Sequence, residues 1–191
     1  DICIISSIEY INLYKKLFAT GRELGVKVRY LIQKKPKGIA ESLIIAKNFI
    51  KTSPICLVLG DNLIFGNNKE IERKLVEANK NEKATIFVSK VKNPNQYGVI
   101  KKYNNSKSLV VEKPKKFISN KAVIGIYFYP NKAISFAKKL KPSKRNELEI
   151  TDLNNIFLKL GEMNVKLFSK QVFWYDAGTH VNYFQVSKKI Y

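Results

Sequence analysis

The sequence predicts an α/β fold, a doubly wound, mostly parallel sheet with an antiparallel hairpin element. Three observations carry this. The run Ile55-Cys-Leu-Val-Leu is apolar without a polar break until Gly60, Asp61 and Asn62 close it, as suits a strand buried on both faces. Around that run, strand-like and helix-like periods alternate. Beyond residue 84 the pattern changes to four strand-like runs with little helix between them.

Residues 2–5 read as the first strand, and Ile8, Leu13, Leu17 and Leu24 as a helical stretch ending near Gly25. Val26–Ile32 is a second strand, closed by the Pro and Gly of Gln33-Lys-Lys-Pro36-Lys37-Gly38. From Gly38, the spacing of Ile39, Leu43, Ala46 and Ile50 predicts a helix with one buried face. Its N-terminal amides would offer a site for an anion or polar ligand. A helix over Lys69–Asn79 puts Ile71, Leu75 and Ala78 inward. The four runs are Ala84–Ser89, Val99–Tyr103, Ser108–Glu112 and Val123–Tyr129, with Asn104-Asn105-Ser106 a turn of hairpin length. Helical spacing returns at Lys132–Leu140 and again after Thr151, read as an N-cap, with Leu153, Ile156, Phe157 and Leu160 on one face up to Gly161. Val165–Phe168 and Val172–Tyr175 are the last strands, and a loop from Asp176 leads to a final helix. No repeat or linker interrupts residues 1–191, which read as one domain.

With 191 residues, 45% hydrophobic and spread throughout, the chain can build a sizeable core. No run of about 18 apolar residues occurs, so no membrane span is expected. Asp1-Ile-Cys-Ile-Ile has no basic stretch ahead of it and does not read as a secretory signal. The net charge of +20 raises nucleic-acid binding. Its source is scattered lysine with little arginine, however, which fits a solvated surface and anion steering better. Cys3 and Cys56 lie in apolar runs without metal-ligand spacing and read as buried free thiols of a reducing, cytoplasmic compartment. His180 is the sole histidine, so His-rich metal sites are excluded.

Ligands of open α/β sheets bind beyond the carboxyl ends of strands, where Asp61 falls and where a carboxylate is a hard ligand for Mg²⁺ beside phosphates. Asp61-Asn62 equally suits the start of a turn. Asp176 occupies a matching position after the last strand. Two such aspartates could clamp one divalent ion among triphosphate oxygens, and a lysine from a third strand could neutralise a phosphate monoester, the parts of phosphoryl or nucleotidyl transfer.

The ordered set Leu57-Val-Leu-Gly-Asp-Asn62, Tyr97-Gly-Val99, Glu112-Lys-Pro114, Ala122-Val-Ile-Gly-Ile-Tyr-Phe-Tyr129, Glu147-Leu-Glu-Ile-Thr-Asp152 and Trp174-Tyr-Asp-Ala-Gly-Thr-His180 resembles the sugar-1-phosphate nucleotidylyltransferases. Within them it is most similar to the glucose-1-phosphate thymidylyltransferases, and the resemblance runs along essentially the whole chain. It implies a Rossmann-like nucleotidyltransferase fold and, as substrates, dTTP and glucose-1-phosphate. It also implies a homo-oligomer that works in deoxysugar (rhamnose) synthesis. By position it implies Asp61 and Asp176 as Mg²⁺ ligands, with Lys113 on the sugar phosphate completing the catalytic set. Gln33 and Gly38 would contact the base, Gly98 and Glu112 the sugar hydroxyls, and Val123, Arg145 and Trp174 would line the sugar-phosphate pocket. Lys37, Ile39 and Glu41 depart from the family's usual acid, leucine and glutamine, which leaves thymidine against uridine open. The alternatives are a uridylyl or other sugar nucleotidyltransferase, or a non-catalytic sugar-nucleotide or nucleic-acid binder.

The family's opening loop, G-x-G-T-R-L-x-P, is matched nowhere in the 191 residues. The chain starts where the family's second strand would lie and stops soon after the Trp174 motif, so truncation at the N-terminus is expected. A single donor to a reacting group is worth about 10²–10³ in rate, so these residues alone should be nearly inactive, with poor solubility from uncovered apolar surface.

Overall fold

Strand and helix do alternate early in the computed structural model, which describes residues 1–103 and 108–190. The order is β1 (Ile2–Ser6), α1 (Ile11–Phe18), β2 (Val28–Ile32), α2 (Glu41–Ile45), α3 (Lys47–Ile50), β3 (Ile55–Val58), β4 (Asn62–Gly66) and α4 (Asn68–Asn79). The four strand-like runs become β5 (Ala84–Lys90), β6 (Gly98–Lys102), β7 (Ser108–Glu112) and β8 (Lys121–Tyr129). After them come α5 (Ala133–Lys139), α6 (Ile150–Lys159), β9 (Met163–Leu167), β10 (Val172–Asp176) and α7 (His180–Ile190). The chain divides into two compact units, residues 1–53 with 131–153, and residues 54–130 with 154–191. The expected turn at Asn104-Asn105-Ser106 lies outside the described residues. Among the described residues no helix is long and apolar enough to cross a membrane.

In the first unit β1 and β2 pair in parallel, Ile2 opposite Val28, with α1 in the crossover. The expected long helix of residues 8–24 is shorter, and a separate 3₁₀ turn at Arg22–Leu24 follows it. Only Ile11 of α1 is buried, while Ile8, Leu13, Leu17 and Leu24 are exposed. The helix expected from Gly38 also starts later, at Glu41, and breaks at Ala46, whose ψ of 2° is not helical. Leu43, Ala46 and Ile50 are buried as their spacing predicts, and α2 packs on α5. A five-residue helix with Glu41 in its first turn does not make the anion-binding N-terminus expected there.

The second unit is built on β8. Thr85–Lys90 of β5 pairs along it antiparallel, Ile55–Val58 of β3 pairs antiparallel with Ile126–Tyr129, and β6 meets it at Ala122. Tyr127 and Phe128 have partners on both β3 and β5, so those strands occupy opposite edges of β8. By the same reasoning from Ala122, β6 shares the edge used by β3. The expected preponderance of parallel pairs does not form, since among the described residues parallel pairing is confined to β1–β2 and β5–β9. The cause is connectivity: β5, β6, β7 and β8 follow one another without crossover helices, so neighbours run antiparallel. The α/β class and the antiparallel hairpin, β6 against β7, hold.

β3 also corrects its expectation. Its one described partner is β8, and its burial alternates, with Ile55 buried and Val58 53% exposed. An apolar run therefore need not be covered on both faces. Cys56 is exposed and Cys3 half-buried, so neither thiol is the buried one expected.

The core of this unit joins Phe87, Ile124, Ile126, Phe128, Phe168 and Val172 with Ala78 of α4, and Ile71 and Leu75 pack against it. Asn67 caps α4 by accepting from the Glu70 amide at 3.1 Å. Thr151, expected as the cap of α6, is instead buried inside its first turn. Further along α6, the Asn155 side chain accepts from Val110 N at 2.8 Å and donates to Val110 O at 2.9 Å, taking the place of a strand beside β7. Phe87 is wholly buried, stacked on Phe168 at 5.1 Å and edge-on to Phe128 at 6.1 Å. Phe87→Ala should cost about 3–5 kcal/mol in urea denaturation, the usual loss for a fully packed phenylalanine.

Candidate active site

Antiparallel pairing of β4 with β10 sets Asn62 opposite Asp176. The ribbon extends one step further, with Ala177 N donating to Asp61 O at 2.7 Å, so both aspartates leave from one end of it. Their carboxylates converge on Gly178. A Cβ there would lie 2.8 Å from Asp61 Oδ2 and 3.0 Å from Asp176 Oδ1. Each carboxylate has one oxygen already engaged. Asp61 Oδ1 accepts from Asn62 Nδ2 at 2.7 Å, and Asp176 Oδ1 accepts from Gly178 N at 2.9 Å. Two carboxylates aimed at one point suit a cation held between them. The donor set is hard oxygen and suits a divalent ion such as Mg²⁺. Among the described residues no third Asp, Glu, His or Cys joins them, so a bound ion would draw its remaining ligands from water or phosphate oxygens.

Asn62 is the hub of this corner. Its Oδ1 accepts from Gly125 N at 2.8 Å and from Trp174 Nε1 at 2.6 Å, while its Nδ2 holds Asp61. Gly125 lies on β8 between the residue that meets β6 and those that meet β3, and a Cβ there would come within 2.7 Å of the Asn62 side chain. Trp174 is packed against the core, and its ring meets Tyr97 edge-on at 5.1 Å. Burial, then the Asp176 charge, pushes the Tyr97 hydroxyl up from its ordinary pKa. Burial again, then the charges of Glu112 and Asp61, pushes the fully buried Tyr127 up as well. Both phenols therefore stay protonated at neutral pH.

The hairpin carries the next group. Gly98 and Glu112 are register partners across β6 and β7, and Lys113 N donates to Tyr97 O at 3.1 Å. Lys113 has φ 40°, left-handed for a non-glycine residue, ahead of the buried Pro114. Such a backbone costs about 1–3 kcal/mol and clusters at functional sites. Val123 is half-buried on β8, opposite Val88.

Gln33, Gly38 and Arg145 belong to the first unit. Gln33 follows β2, its amide N bonded to Ser6 O at 2.9 Å. Its Nε2 donates to Glu41 Oε2 at 2.7 Å and to Gly38 O at 3.1 Å. Gly38 has φ 94°, and a Cβ there would sit within 2.9 Å of the Leu148 backbone, so only glycine fits. Arg145 is paired through Nη2 with Glu149 at 2.8 Å and with Glu147 at 3.5 Å.

The second unit thus holds Asp61, Asp176, Trp174, Glu112, Gly98, Lys113 and Val123 on or beside β4, β6, β7, β8 and β10, and the first holds the rest. Asn62, Tyr97, Gly125, Tyr127 and Gly178 stand within the sequence motifs but carry no role assigned from sequence. One signal was present for two of them: Val123, Gly125 and Tyr127 alternate with core residues Ile124, Ile126 and Phe128, and so share one face of β8.

The profile of the nucleotidyl transferase family matches residues 1–191. A glucose-1-phosphate thymidylyltransferase of Neisseria meningitidis is 40% identical over 181 residues, 94% of this chain and 62% of its own length. One of Xanthomonas campestris pv. campestris is 39% identical over 181 residues, 94% of this chain and 61% of its own. Among solved structures, a Bacillus anthracis protein described as a glucose-1-phosphate thymidylyltransferase, in complex with sucrose, superposes with a TM-score of 0.86. It is 35% identical and covers 99% of this chain and 75% of its own. A UDP-glucose pyrophosphorylase complexed with UDP-glucose has a TM-score of 0.80 at 22% identity, over 100% of this chain and 81% of its own, and shares the fold. The chain belongs to the nucleotidyl transferase family, with the family's Rossmann-like α/β architecture. It spans 62% of the length of the Neisseria relative.

Trp174 is the sole tryptophan, so its fluorescence reports on the Asn62 corner. Asn62→Ala strips partners from Gly125 N, Trp174 Nε1 and Asp61 Oδ1. It should cost about 2–3 kcal/mol in urea denaturation and shift the emission of the folded protein.

Proposed function

We propose that the protein transfers a thymidylyl group from dTTP to glucose-1-phosphate, giving dTDP-glucose and pyrophosphate, with Mg²⁺ at Asp61 and Asp176. One observation carries the reading. The two aspartates converge on Gly178 at one end of the β4–β10 ribbon, in a chain similar to proteins named glucose-1-phosphate thymidylyltransferase. A phosphate oxygen of the sugar phosphate attacks the α-phosphorus in line, and the bond to pyrophosphate breaks on the opposite side. Such chemistry needs positioning and charge neutralisation more than covalent help. A bound divalent ion supplies charge neutralisation and a template for phosphate oxygens.

The chain's own residues do the rest in this reading. Asn62 and the Gly178 amide hold the two carboxylates in their facing orientation. Lys113 on its strained turn neutralises the sugar phosphate, and Gly98 and Glu112, paired across the hairpin, take the sugar hydroxyls. Val123 and Trp174 wall that pocket; in the first unit, Gln33 and Gly38 take the base and Arg145 serves the sugar phosphate. A place in deoxysugar (rhamnose) synthesis, a homo-oligomer and a cytoplasmic setting belong to the same proposal and rest on the resemblance. Uridylyl transfer is the competing reading, left open by Lys37, Ile39 and Glu41 in the base loop.

Pyrophosphate release from dTTP or UTP with glucose-1-phosphate tests the proposal. It is measured on the 191-residue chain and on the chain joined to a family segment bearing G-x-G-T-R-L-x-P. Turnover is expected in the joined protein and close to none in the chain alone, with dTTP preferred. Asp176→Ala in the joined protein should lower kcat by about 10²–10³. Silence from a folded joined protein overturns catalysis, and a preference for UTP turns the reading to uridylyl transfer. Gly178→Ala crowds both carboxylates but leaves the ribbon intact. It should raise the half-saturating Mg²⁺ about tenfold or more while the melting temperature stays within about 4–8 °C of the parent.

A further inference from the structure

We infer that Glu41 sets which pyrimidines the base loop accepts, by holding the Gln33 amide with its carbonyl oxygen as the free acceptor. The inference rests on the reading of Gln33 and Gly38 as base contacts.

Gln33 Nε2 lies 2.7 Å from Glu41 Oε2 and 3.1 Å from Gly38 O. A carboxylate and a backbone carbonyl only accept hydrogen bonds, whereas a glutamine amide has one donating end and one accepting end. The NH₂ end must therefore face these two acceptors, because the reversed amide would set oxygen against oxygen twice. Both of its hydrogens are spent there. Oε1 points the other way, and among the described residues no hydrogen bond reaches it.

The arrangement is anchored on both sides. The Gln33 backbone is tied to Ser6 at the end of β1. Gly38 is enclosed by Leu148, whose amide donates to Lys37 O at 2.7 Å and whose carbonyl accepts from Ala40 N at 3.2 Å. Glu41 opens α2 and also lines an open cavity of about 420 Å³ with Ile32, Ile45 and the lysines at 34, 35 and 37. That is within the size range of small-ligand sites, with a cationic rim suited to phosphates.

A locked acceptor selects by hydrogen-bond polarity. Thymine and uracil carry N3–H and can donate to Oε1. Cytosine presents a lone pair at N3, which would face the Oε1 lone pairs and leave both groups without a partner. An unconstrained glutamine would turn its amide over and accommodate either base. Glu41 removes that option, so it is a positioning residue whose effect is on discrimination.

The test is equilibrium binding of dTDP, UDP and CDP, each with Mg²⁺, to the 191-residue protein and to Glu41→Gln, with a thermal melt of both. Glutamine at 41 can donate or accept, so in the variant only the Gly38 carbonyl still opposes the reversed Gln33 amide. The parent is expected to prefer dTDP and UDP over CDP by about tenfold, the worth of one hydrogen bond of matched polarity, and the variant to lose most of that ratio. A purely structural role for Glu41 would weaken all three nucleotides equally and leave the ratio unchanged, which overturns the inference. So does a parent that binds all three alike. If the folded parent binds none of them, the base-site reading itself fails and the inference falls with it.

Discussion

Strand β8 serves three neighbours with two edges, and the second unit takes its form from that constraint. β5 occupies one edge along most of its length. The other edge is shared by β6 at Ala122 and β3 from Ile126 onward, which leaves a short interval between them. Backbone groups in such an interval need partners from elsewhere. Gly125 N finds one in the Asn62 side chain, and Gly125 O accepts from Leu59 N at 2.9 Å. The side chain that closes this interval also holds Asp61 and Trp174. A break in the sheet and the most polar corner of the unit are thus one feature, as expected when ligand sites form where strand order changes.

Electrostatics in this corner run against the molecule as a whole. The chain carries +20, yet Asp61, Asp176 and Glu112 are close enough to two tyrosines to add to the upward push of burial on both. Scattered lysines draw anions toward the surface from a distance, screened beyond about 8–10 Å at ordinary salt. The end of the β4–β10 ribbon instead presents the carboxylates of Asp61 and Asp176. An anionic ligand would need a cation or Lys113 to settle there.

Much of this was legible in the residues. Apolar runs located every strand except β4, and the turn positions of Asp61 and Asp176 marked them before their convergence on Gly178 was visible. The failures have physical causes. A run such as Ile55–Val58 reads the same whether one face or two is covered, because coverage depends on partners distant in sequence. The two helices after Gly38 share one apolar period, so periodicity alone hid the break at Ala46. Thr151 looked like a cap because its hydroxyl suits one, but the helix begins a residue earlier and buries it. Asn62 could not be singled out, since its role exists only when β8, β4 and β10 meet. Glu41 stands out in the sequence only as a departure from the family pattern, and its hold on Gln33 exists only in the folded loop.

The amide of Asn155 has a consequence for how this molecule behaves among its copies. β7 is the terminal strand of its sheet, and such a strand offers unpaired groups on which another chain can grow. Asn155 satisfies both backbone groups of Val110 in the middle of that strand. An incoming strand would have to dislodge this clamp before it could register there, so α6 guards the edge against fibril-like stacking as well as packing on the sheet.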